Sequence, residues 1–570
     1  MAKMRAMSSS DSSFDYVIVG AGTAGCLLAN RLSANPQVKV LLLEAGRKDD
    51  YLWVHVPVGY LYCIGNPRTD WLYQTEAEPG LNGRQLRYPR GRVLGGCSSI
   101  NGMIYMRGQR RDYDHWAEVT GDPTWRWDGC LPHFLAHEDH WGGAREGHAA
   151  PGHDPTGVRS GGEWRVERQR LKWPILDAFS QAAQQAGIPA TEDFNLGSNE
   201  GVGYFEVNQR SGLRWNTARG FLKPAANRPN LEIWTGAQVE RVLLEAGPDG
   251  AAGSGQPFRA TGVVLRPEGR GEAVTVKAAR EVLLCAGAVS SPVLLQRSGI
   301  GPAELLRSHG LTVRLDAPGV GGNLQDHLQI RAVFSVKHTR TLNTLANSLW
   351  GKAMIGLEYL LRRTGPMSMA PSQLGAFTRS SAAHAWPNVQ YHVQPLSLDA
   401  FGQPLHTFDA ITASVCNLNP SSRGTVQIKT PRFEDAPAIA PNYLSTDEDR
   451  RVAADSLRVT RRIMAQDAMK AFAPEEFKPG VQYQTDEELA KLAGDIASTI
   501  FHPVGTTRMG RNDDPMAVVN ARLQVRGVAG LRVVDAGVMP TITSGNTNSP
   551  TLMVAEKAAR WILSDAAREA

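Results

Sequence analysis

The start of the chain combines two apolar runs with a helical pattern between them. Residues 14–19 form a short, mostly apolar run typical of a buried strand. The following residues, up to Leu32, repeat apolar side chains at helical spacing, and residues 38–43 form a second apolar run that ends at Glu44. This order predicts strand, helix and strand, the βαβ unit of parallel α/β sheets.

Similar apolar runs recur far along the chain, at 231–234, 281–285 and 531–534. The last two each end at a glycine-containing turn, as strands do where a doubly wound sheet forms its ligand crevice. Because these runs lie hundreds of residues from the first strand, we predict an α/β fold. Its Rossmann-like lobe is discontinuous, and the intervening segments form a second lobe.

A helical repeat of apolar residues spans 342–363, with Lys352, Arg362 and Arg363 among them. The interpretation that we favour is an amphipathic helix packed on the core. The alternative is a helix that contacts a membrane surface, and it stays open. The apolar positions are Leu342, Leu345, Leu349, Ala353, Leu357 and Leu360.

Glycines at 20, 22 and 25 give the turn after the first strand the pattern G-x-G-x-x-G. Gly20 permits a tight turn, Gly22 lets a pyrophosphate approach the backbone, and Gly25 lets helix and strand pack closely. The free N–H groups of the helix N-terminus favour phosphate, and Glu44 can accept hydrogen bonds from a ribose. The unit therefore predicts a dinucleotide site.

Two more glycine-rich blocks follow, at 91–101 and 287–301. Consecutive glycines and small hydroxyl residues in the first let the backbone lie against a flat ring or a diphosphate. In the second, Ser291 before Pro292 predicts a helix that starts at the proline and ends at Gly299. Near the C-terminus, F-H-P-V-G-T occupies 501–506 and S-G-N-T-N-S-P-T occupies 544–551.

Composition excludes several classes of protein. With 570 residues, 42% hydrophobic and 21% charged, the chain is typical of a globular protein with more than one lobe. A net charge of +5 without a basic, aromatic-rich run does not suggest nucleic-acid binding. The six cysteines form no C-x-x-C pattern, which fits a reducing compartment.

Residues 1–13 are polar and serine-rich, which predicts a disordered leader rather than a signal peptide. No apolar run approaches the ~18 residues of a membrane span. We therefore expect a cytoplasmic protein, with peripheral contact at the inner face of the membrane left open.

Histidines cluster around the Pro- and Gly-rich stretch at 141–162, but no cysteines or carboxylates are arranged to complete a metal site. We expect a solvated helix end and loop and no metal. The histidines are His133, His137, His140, His148 and His153.

The glycine-rich and C-terminal blocks together resemble the glucose–methanol–choline family of flavin-dependent oxidoreductases, over residues 14–563. Within it the chain is similar to bacterial FAD-linked aliphatic alcohol dehydrogenases and to choline dehydrogenase. The resemblance implies an FAD-binding domain at 14–160, 215–325 and 495–565. It also implies a substrate-binding domain at 161–214 and 326–494, built on an antiparallel sheet with helices.

The resemblance further implies which residues contact FAD. Ile100 stands where some relatives attach FAD through a histidine, so we expect non-covalent FAD. Cys97 replaces a common serine, and the segment 323–327 is expected to be structural. The implied FAD contacts are Gly20, Gly22, Thr23, Ala24, Gly25, Glu44, Ala45, Arg92, Gly95, Gly96, Ser99, Asn101, Gly102, Val239, Ala286, Asp535, Ala536, Asn546 and Thr547.

His502 matches the family's catalytic histidine and Asn546 its partner position. Alcohol oxidation removes a hydroxyl proton while a hydride passes to flavin N5. Imidazole is a suitable base near neutral pH, whereas an amide can only hold the same oxygen. We therefore assign His502 as the general base.

The expected reaction is oxidation of a primary alcohol to an aldehyde, with electrons passed to a quinone or similar acceptor. An oxygen-using oxidase, a choline dehydrogenase and a non-oxidative lyase or photodecarboxylase are alternatives. Choline would need a carboxylate and an aromatic cage. Neither is visible in the sequence around 330–420, so we favour an uncharged alcohol. The oligomeric state, the alcohol and the acceptor are not predicted.

Overall fold

The computed structural model describes residues 13–142, 161–247, 257–269, 272–399 and 403–569. The predicted leader lies outside this range except for Ser13, which belongs to the first strand rather than to the leader. His148 and His153 also lie outside the described residues.

The main strands are β1 Ser13–Val19, β2 Val40–Glu44, β3 Gly201–Tyr204, β4 Leu231–Thr235, β5 Ala237–Ala246, β6 Phe258–Pro267, β7 Val274–Leu284, β8 Leu328–Ser335, β9 Leu374–Thr378, β10 Val389–Gln394, β11 Ala410–Asn417, β12 Glu475–Lys478, β13 Ser498–Thr499, β14 Val528–Ala529 and β15 Leu531–Val533. The main helices are α1 Thr23–Leu32, α2 Arg110–Thr120, α3 Trp127–Leu135, α4 Pro174–Gln185, α5 Gly287–Arg297, α6 Leu342–Asn347, α7 Leu349–Arg362, α8 Asp447–Met464, α9 Asp486–Ile496 and α10 Asn548–Glu569.

The first sheet confirms the predicted α/β class. Its strands run in the order β5, β6, β7, β1, β2, β4, with β15 beside β7 and β14 beside β6. The strands β4, β2, β1, β7 and β15 pair in parallel, while β5, β6 and the start of β7 form an antiparallel extension. The first strand, β1, and the last strand, β15, therefore belong to one sheet.

The second sheet is antiparallel and contains seven strands. Its order is β12, β8, β11, β10, β9, β3, with β13 also on β8. One of its faces packs against the helices α4 and α8 in a shared apolar core. Strand β13 lies within residues that we predicted for the other domain, yet it pairs with this sheet.

Helix α5 begins at Gly287, four residues before the predicted cap at Ser291. Pro292 therefore lies inside the helix, where it cannot donate to the carbonyl of Ala288. The hydroxyl of Thr506 donates to that carbonyl instead, at 2.6 Å. A donor from a distant segment thus lets the helix start before Pro292, and a local Ser-Pro pattern cannot predict this.

The segment 342–363 forms two helices, α6 and α7, that meet at Ser348. Leu342 is buried, but Leu349, Leu357 and Leu360 of the predicted stripe are exposed. The prediction of a core-packed helix is therefore wrong for α7. Among the described residues, no helix is both long and apolar enough to cross a membrane.

Two of the clustered histidines are buried rather than solvated. His140 Nε2 lies 2.9 Å from a carboxylate oxygen of Glu206, and His137 lies beside Glu556. Within the described part of the chain, no group of three or more His, Cys, Asp or Glu side chains could hold a metal ion.

Candidate active site and cofactor cleft

A cavity of about 650 Å³ lies between the two sheets. One wall comes from the ends of β1, β2 and β7 with the glycine-rich turns, and the other from β8 and β10. It is thus a cleft at the carboxyl ends of parallel strands, where open α/β sheets bind their ligands.

The two N-terminal glycine-rich turns contact each other at this cleft. The Gly95 amide donates to the carbonyl of Ala21 at 2.8 Å. A Cβ on Gly96, whose φ is +53°, would lie 2.7 Å from the Cα of Gly22. Only glycine permits this approach, so the second turn is held against the first.

For a Cβ on Gly22 itself, the nearest atom of the described residues would be the carbonyl oxygen of Cys285, at 3.9 Å. Its φ of −79° is also open to any residue. The protein alone therefore does not require glycine here, whereas a ligand lying against the turn would. Gly25 differs, since a Cβ there would lie 1.9 Å from the carbonyl oxygen of Gly20.

Glu44 ends β2 with its carboxylate buried against the first turn. It accepts hydrogen bonds from the amides of Ala21 at 3.0 Å and Gly46 at 2.7 Å. Burial raises the pKa of Glu44 to about 7. The carboxylate lines the cleft, where it can accept hydroxyl donors from a ribose.

Asp535 joins the ends of β15 and α5 on the opposite side of the cleft. It accepts from the Ser291 hydroxyl at 2.6 Å and from the amides of Gly287 at 2.9 Å and Gly537 at 2.8 Å. Burial raises the pKa of Asp535. The carboxylate fixes two turns that line the cleft.

Two helix N-termini meet at the cleft. The Thr23 hydroxyl of α1 donates to Asn548 Oδ1 of α10 at 2.7 Å, while the buried Asn548 Nδ2 has no acceptor among the described residues. Both residues line the cleft. Two positive dipole ends and an unused donor suit an anionic or carbonyl-bearing ligand.

Most of the predicted site residues line the cleft. Gly25, Gly95 and Ser99 do not; they hold the turns, with the Ser99 hydroxyl donating to the carbonyl of Leu94 at 2.7 Å. The predicted residues that line it are Gly20, Gly22, Thr23, Ala24, Glu44, Ala45, Arg92, Gly96, Asn101, Gly102, Val239, Ala286, His502, Asp535, Ala536, Asn546 and Thr547.

At one end of the cleft, His502 and Asn546 are directly hydrogen-bonded. The distance from Asn546 Nδ2 to His502 Nε2 is 3.1 Å. Gln390 Nε2 lies 3.4 Å from Asn546 Oδ1, which fits an amide nitrogen turned toward the histidine. The two residues assigned to chemistry from sequence therefore share one hydrogen bond at the cleft wall.

His327, which we expected to be structural, contacts the other side of His502. Its Nδ1 lies 3.0 Å from His502 Nδ1, and its Nε2 lies 3.0 Å from the carbonyl oxygen of Leu418. A carbonyl only accepts, so His327 carries its proton on Nε2 and accepts through Nδ1. His502 must then donate from Nδ1, which leaves the Nε2 lone pair toward Asn546.

Asp326 holds the backbone of His502. Its Oδ1 accepts the His502 amide at 2.7 Å. Its Oδ2 accepts the hydroxyls of Tyr88, Tyr443 and Thr499 at 3.0, 2.5 and 2.6 Å. Donors from distant segments thus fix the segment after β13 that carries the histidine.

The histidines of this site are neutral near pH 7. Burial, followed by the nearby His327 and His392, holds the pKa of His502 well below its ordinary value. Burial also lowers the pKa of His327 to about 4 and that of His392 to about 3. A neutral His502 can accept a proton without first losing one.

Sequence reasoning placed the substrate pocket around 330–420 but named no residue of β10, which supplies part of the cleft wall. Gln390, His392 and Gln394 alternate with apolar residues, and His392 and Gln394 line the cleft with Gln329 of β8. Within the part of the chain that the structure describes, the buried His392 Nε2 has no hydrogen-bond partner. Polar residues at every second position of V-Q-Y-H-V-Q were the available signal.

The fold and site define a flavin-dependent oxidoreductase: a dinucleotide cleft next to a buried, neutral histidine and an amide. The GMC oxidoreductase N-terminal model matches residues 14–329 and the C-terminal model matches residues 420–555. The chain belongs to the GMC oxidoreductase family, and FAD is its cofactor.

The relatives cover nearly the whole chain. An oxygen-dependent choline dehydrogenase of Photobacterium profundum is 39% identical over 97% of this chain and 93% of its own length. An alcohol dehydrogenase [acceptor] of Pseudomonas putida is 38% identical over 96% of each. The crystal structure of pyridoxine 4-oxidase from Mesorbium loti shares 32% identity, with a TM-score of 0.84, and covers 97% of this chain and 99% of that one.

Proposed function

We propose that the protein oxidises a primary alcohol to an aldehyde, with His502 as general base. The observation that carries the proposal is the unprotonated Nε2 of a buried histidine, held at the cleft wall beside an amide donor. FAD, when bound, supplies the hydride acceptor. The residue set fits it through the open position at Gly22, the Glu44 carboxylate and the two helix N-termini.

His502 takes the hydroxyl proton at Nε2, while Asn546 holds the same oxygen from its amide nitrogen. Since the histidine is neutral before reaction, proton transfer creates its charge only when the alcohol oxygen becomes negative. His327 acts as a positioning residue, because it accepts the Nδ1 proton and keeps the lone pair on Nε2.

The substrate that the cleft favours is an uncharged alcohol. Beside His502 the cleft wall carries the neutral His392 and the cationic Arg90, which donates to the carbonyl of Phe501 at 2.8 Å. The uncharged residues Gln329, Gln394 and Ser372 also line the cleft. Two acids that line the cleft, Glu44 and Asp535, are hydrogen-bonded to the turns. The other acids that line it, Glu268, Glu434 and Asp435, lie with Gln238 next to the strands β5 and β6. A quaternary ammonium substrate would lack a counter-charge beside the base.

Choline oxidation is the second candidate, because several relatives at 39–40% identity are named choline dehydrogenases. The acceptor that we propose is a quinone, with molecular oxygen as the alternative. Non-covalent FAD is supported by Ile100, a cleft residue whose side chain offers no nucleophile.

The test is anaerobic reduction of the purified yellow enzyme with a panel of primary alcohols that includes choline. We expect bleaching of the flavin by an uncharged alcohol, persistence of the bleached state in air and re-oxidation by a quinone. His502→Ala should slow the bleaching by at least ~10²-fold with FAD still bound.

Bleaching by choline alone would contradict the uncharged substrate, and rapid re-oxidation by air would identify an oxidase. No bleaching by any alcohol, or normal bleaching of His502→Ala, would contradict the proposed chemistry.

A further inference from the structure

Helix α7 turns its apolar side away from the protein. Leu349 and Trp350 are 87% and 77% exposed, and Leu360 and Leu361 are 70% and 72% exposed. Of its residues only Tyr359 is buried. We call the exposed residues the α7 face: Leu349, Trp350, Met354, Leu357, Leu360 and Leu361.

The length of α7 decides how it could meet a lipid. Fourteen residues at ~1.5 Å each give about 21 Å, which is shorter than the ~30 Å hydrocarbon core of a bilayer. The helix also carries charged residues along it. It therefore suits a position in the plane of the interface and not across the membrane.

The charges around the α7 face are mostly positive. Lys352, Arg362 and Arg363 are exposed. The acid of the helix, Glu358, is half-buried and accepts a hydrogen bond from Thr364 at 3.0 Å. Cations beside an apolar face, with an exposed tryptophan at one end of the helix, match an anionic lipid surface.

A second copy of the chain fits this face less well. A two-fold contact would bring Lys352, Arg362 and Arg363 close to the same set of cations on the second copy, and like charges facing each other oppose association. Anionic lipid instead contributes about 1 kcal/mol for each nearby cation. Charge complementarity therefore favours the bilayer.

The helix is anchored close to the cleft. The Tyr359 hydroxyl donates to the carbonyl of Gly212 at 2.9 Å. After α7, Pro366–Ser368 packs against Pro57–Gly59, the turn before Tyr60. Tyr60 and Pro371 line the cleft, and the eight residue-to-residue steps from Arg363 to Pro371 span at most about 29 Å.

The neighbours of Tyr60 are exposed as well. Leu61 is 39% exposed and Tyr62 is 51% exposed, although Tyr60 itself is buried at the cleft. One short helix, Tyr60–Cys63, thus supplies a residue of the cleft wall and, directly after it, two exposed residues.

We infer that α7 docks the enzyme on the surface of an anionic bilayer, with the 60–62 side of the cleft turned toward the lipid. Docking would let a lipid-soluble acceptor or a long-chain alcohol reach the cleft from the membrane. The docking surface stands on its own, and only its use by the acceptor rests on the proposed function.

The test is flotation of the holoenzyme with vesicles of phosphatidylcholine and phosphatidylglycerol at 7:3. The variant is the triple substitution Trp350→Glu, Leu357→Glu and Leu361→Glu. The matched control is Trp386→Glu with Val481→Glu, which changes apolar residues that are 57% and 63% exposed elsewhere. FAD content and dye-coupled activity are measured for each protein.

We expect the wild type and the control to float and the triple variant to lose at least ~10-fold in vesicle binding. All three should keep FAD and dye-coupled activity, while the triple variant alone loses activity with a long-chain quinone held in the vesicles. If none of the three proteins oxidises an alcohol but the wild type and the control still float, the proposed function is contradicted and the docking surface is not.

Three results would overturn the inference. They are failure of the wild type to float at low salt, equal flotation with pure phosphatidylcholine, and a wild-type dimer that the triple variant turns into a monomer in analytical ultracentrifugation without lipid.

Discussion

At the scale of single residues, His327 sets which nitrogen of His502 can act as the base. We predict that His327→Leu slows flavin reduction by about 10- to 100-fold, because His502 loses the acceptor that keeps its Nδ1 protonated. His327→Gln offers an amide donor and a carbonyl acceptor, so it should recover part of the rate. Stopped-flow reduction measures both.

A merely structural role for His327 would give a different result. In that case Leu and Gln would lower FAD content or thermal stability together, and the reduction rate of the flavin-loaded fraction would be unchanged.

His392 provides a prediction for pH. Burial holds its pKa at about 3, below the ~6.5 of an unfolded histidine. As the pH falls below 6.5, His392 therefore becomes protonated in the unfolded chain but stays neutral in the folded chain. Folded stability is full above that pH and declines below it, by about 2 kcal/mol at pH 5 from this residue.

The measurement compares the melting temperatures of the wild type and His392→Gln between pH 7 and pH 5. As the pH falls, we expect the melting temperature of the wild type to decrease more than that of His392→Gln. The matched control is His338→Gln at an exposed position, for which the difference should stay constant. A constant difference for His392→Gln as well would contradict the prediction.

At the scale of elements, the turn from β1 to α1 separates two uses of glycine. Gly22→Ala places its Cβ 3.9 Å from the nearest atom of the described residues, whereas Gly25→Ala places it 1.9 Å from a backbone oxygen. We predict that Gly22→Ala folds but binds FAD at least ~10-fold more weakly. Gly25→Ala should fail to fold.

Circular dichroism and titration of the FAD-free proteins with FAD check this pair. Tight FAD binding by Gly22→Ala would contradict the cofactor contact at that turn, and a folded Gly25→Ala would contradict the packing argument.

The same scale shows what sequence could predict. The βαβ unit was predictable because its apolar spacing and glycines are local, and β1, α1 and β2 appear close to the expected bounds. The His327–His502 contact joins residues 175 positions apart, so no local pattern carries it.

Helix α7 and strand β10 show a second reason for missed features. An apolar helix face has the same spacing whether it meets a protein core or a lipid, since both exclude water. The alternating polar residues of β10 likewise indicate a two-faced strand. Only the packing of the second sheet against the cleft shows that the polar face of β10 is buried.

At the scale of the whole molecule, the cleft joins segments from both ends of the chain. Turns after β1, β2, β7 and β15 all line it. We predict that FAD stabilises the entire fold, by about 2.7 kcal/mol when free FAD is 100 times its Kd. The melting temperature of the FAD-free protein should rise with added FAD, and AMP should raise it less.

An unchanged melting temperature, despite FAD that elutes with the protein, would mean that FAD binds the folded and the unfolded chain equally well. This result would contradict the prediction.

The strand order also has a consequence for synthesis on the ribosome. β1 can pair with β2 early, but its other neighbour, β7, ends about 240 residues later, and β15 follows after roughly 250 more. At about 5–20 residues per second, the first βαβ unit waits some 12–50 s for β7 and about as long again for the sheet to be completed. Until β7 is synthesised, one side of β1 is an unpaired apolar edge, so the nascent chain is a natural client for chaperones that shield strand edges.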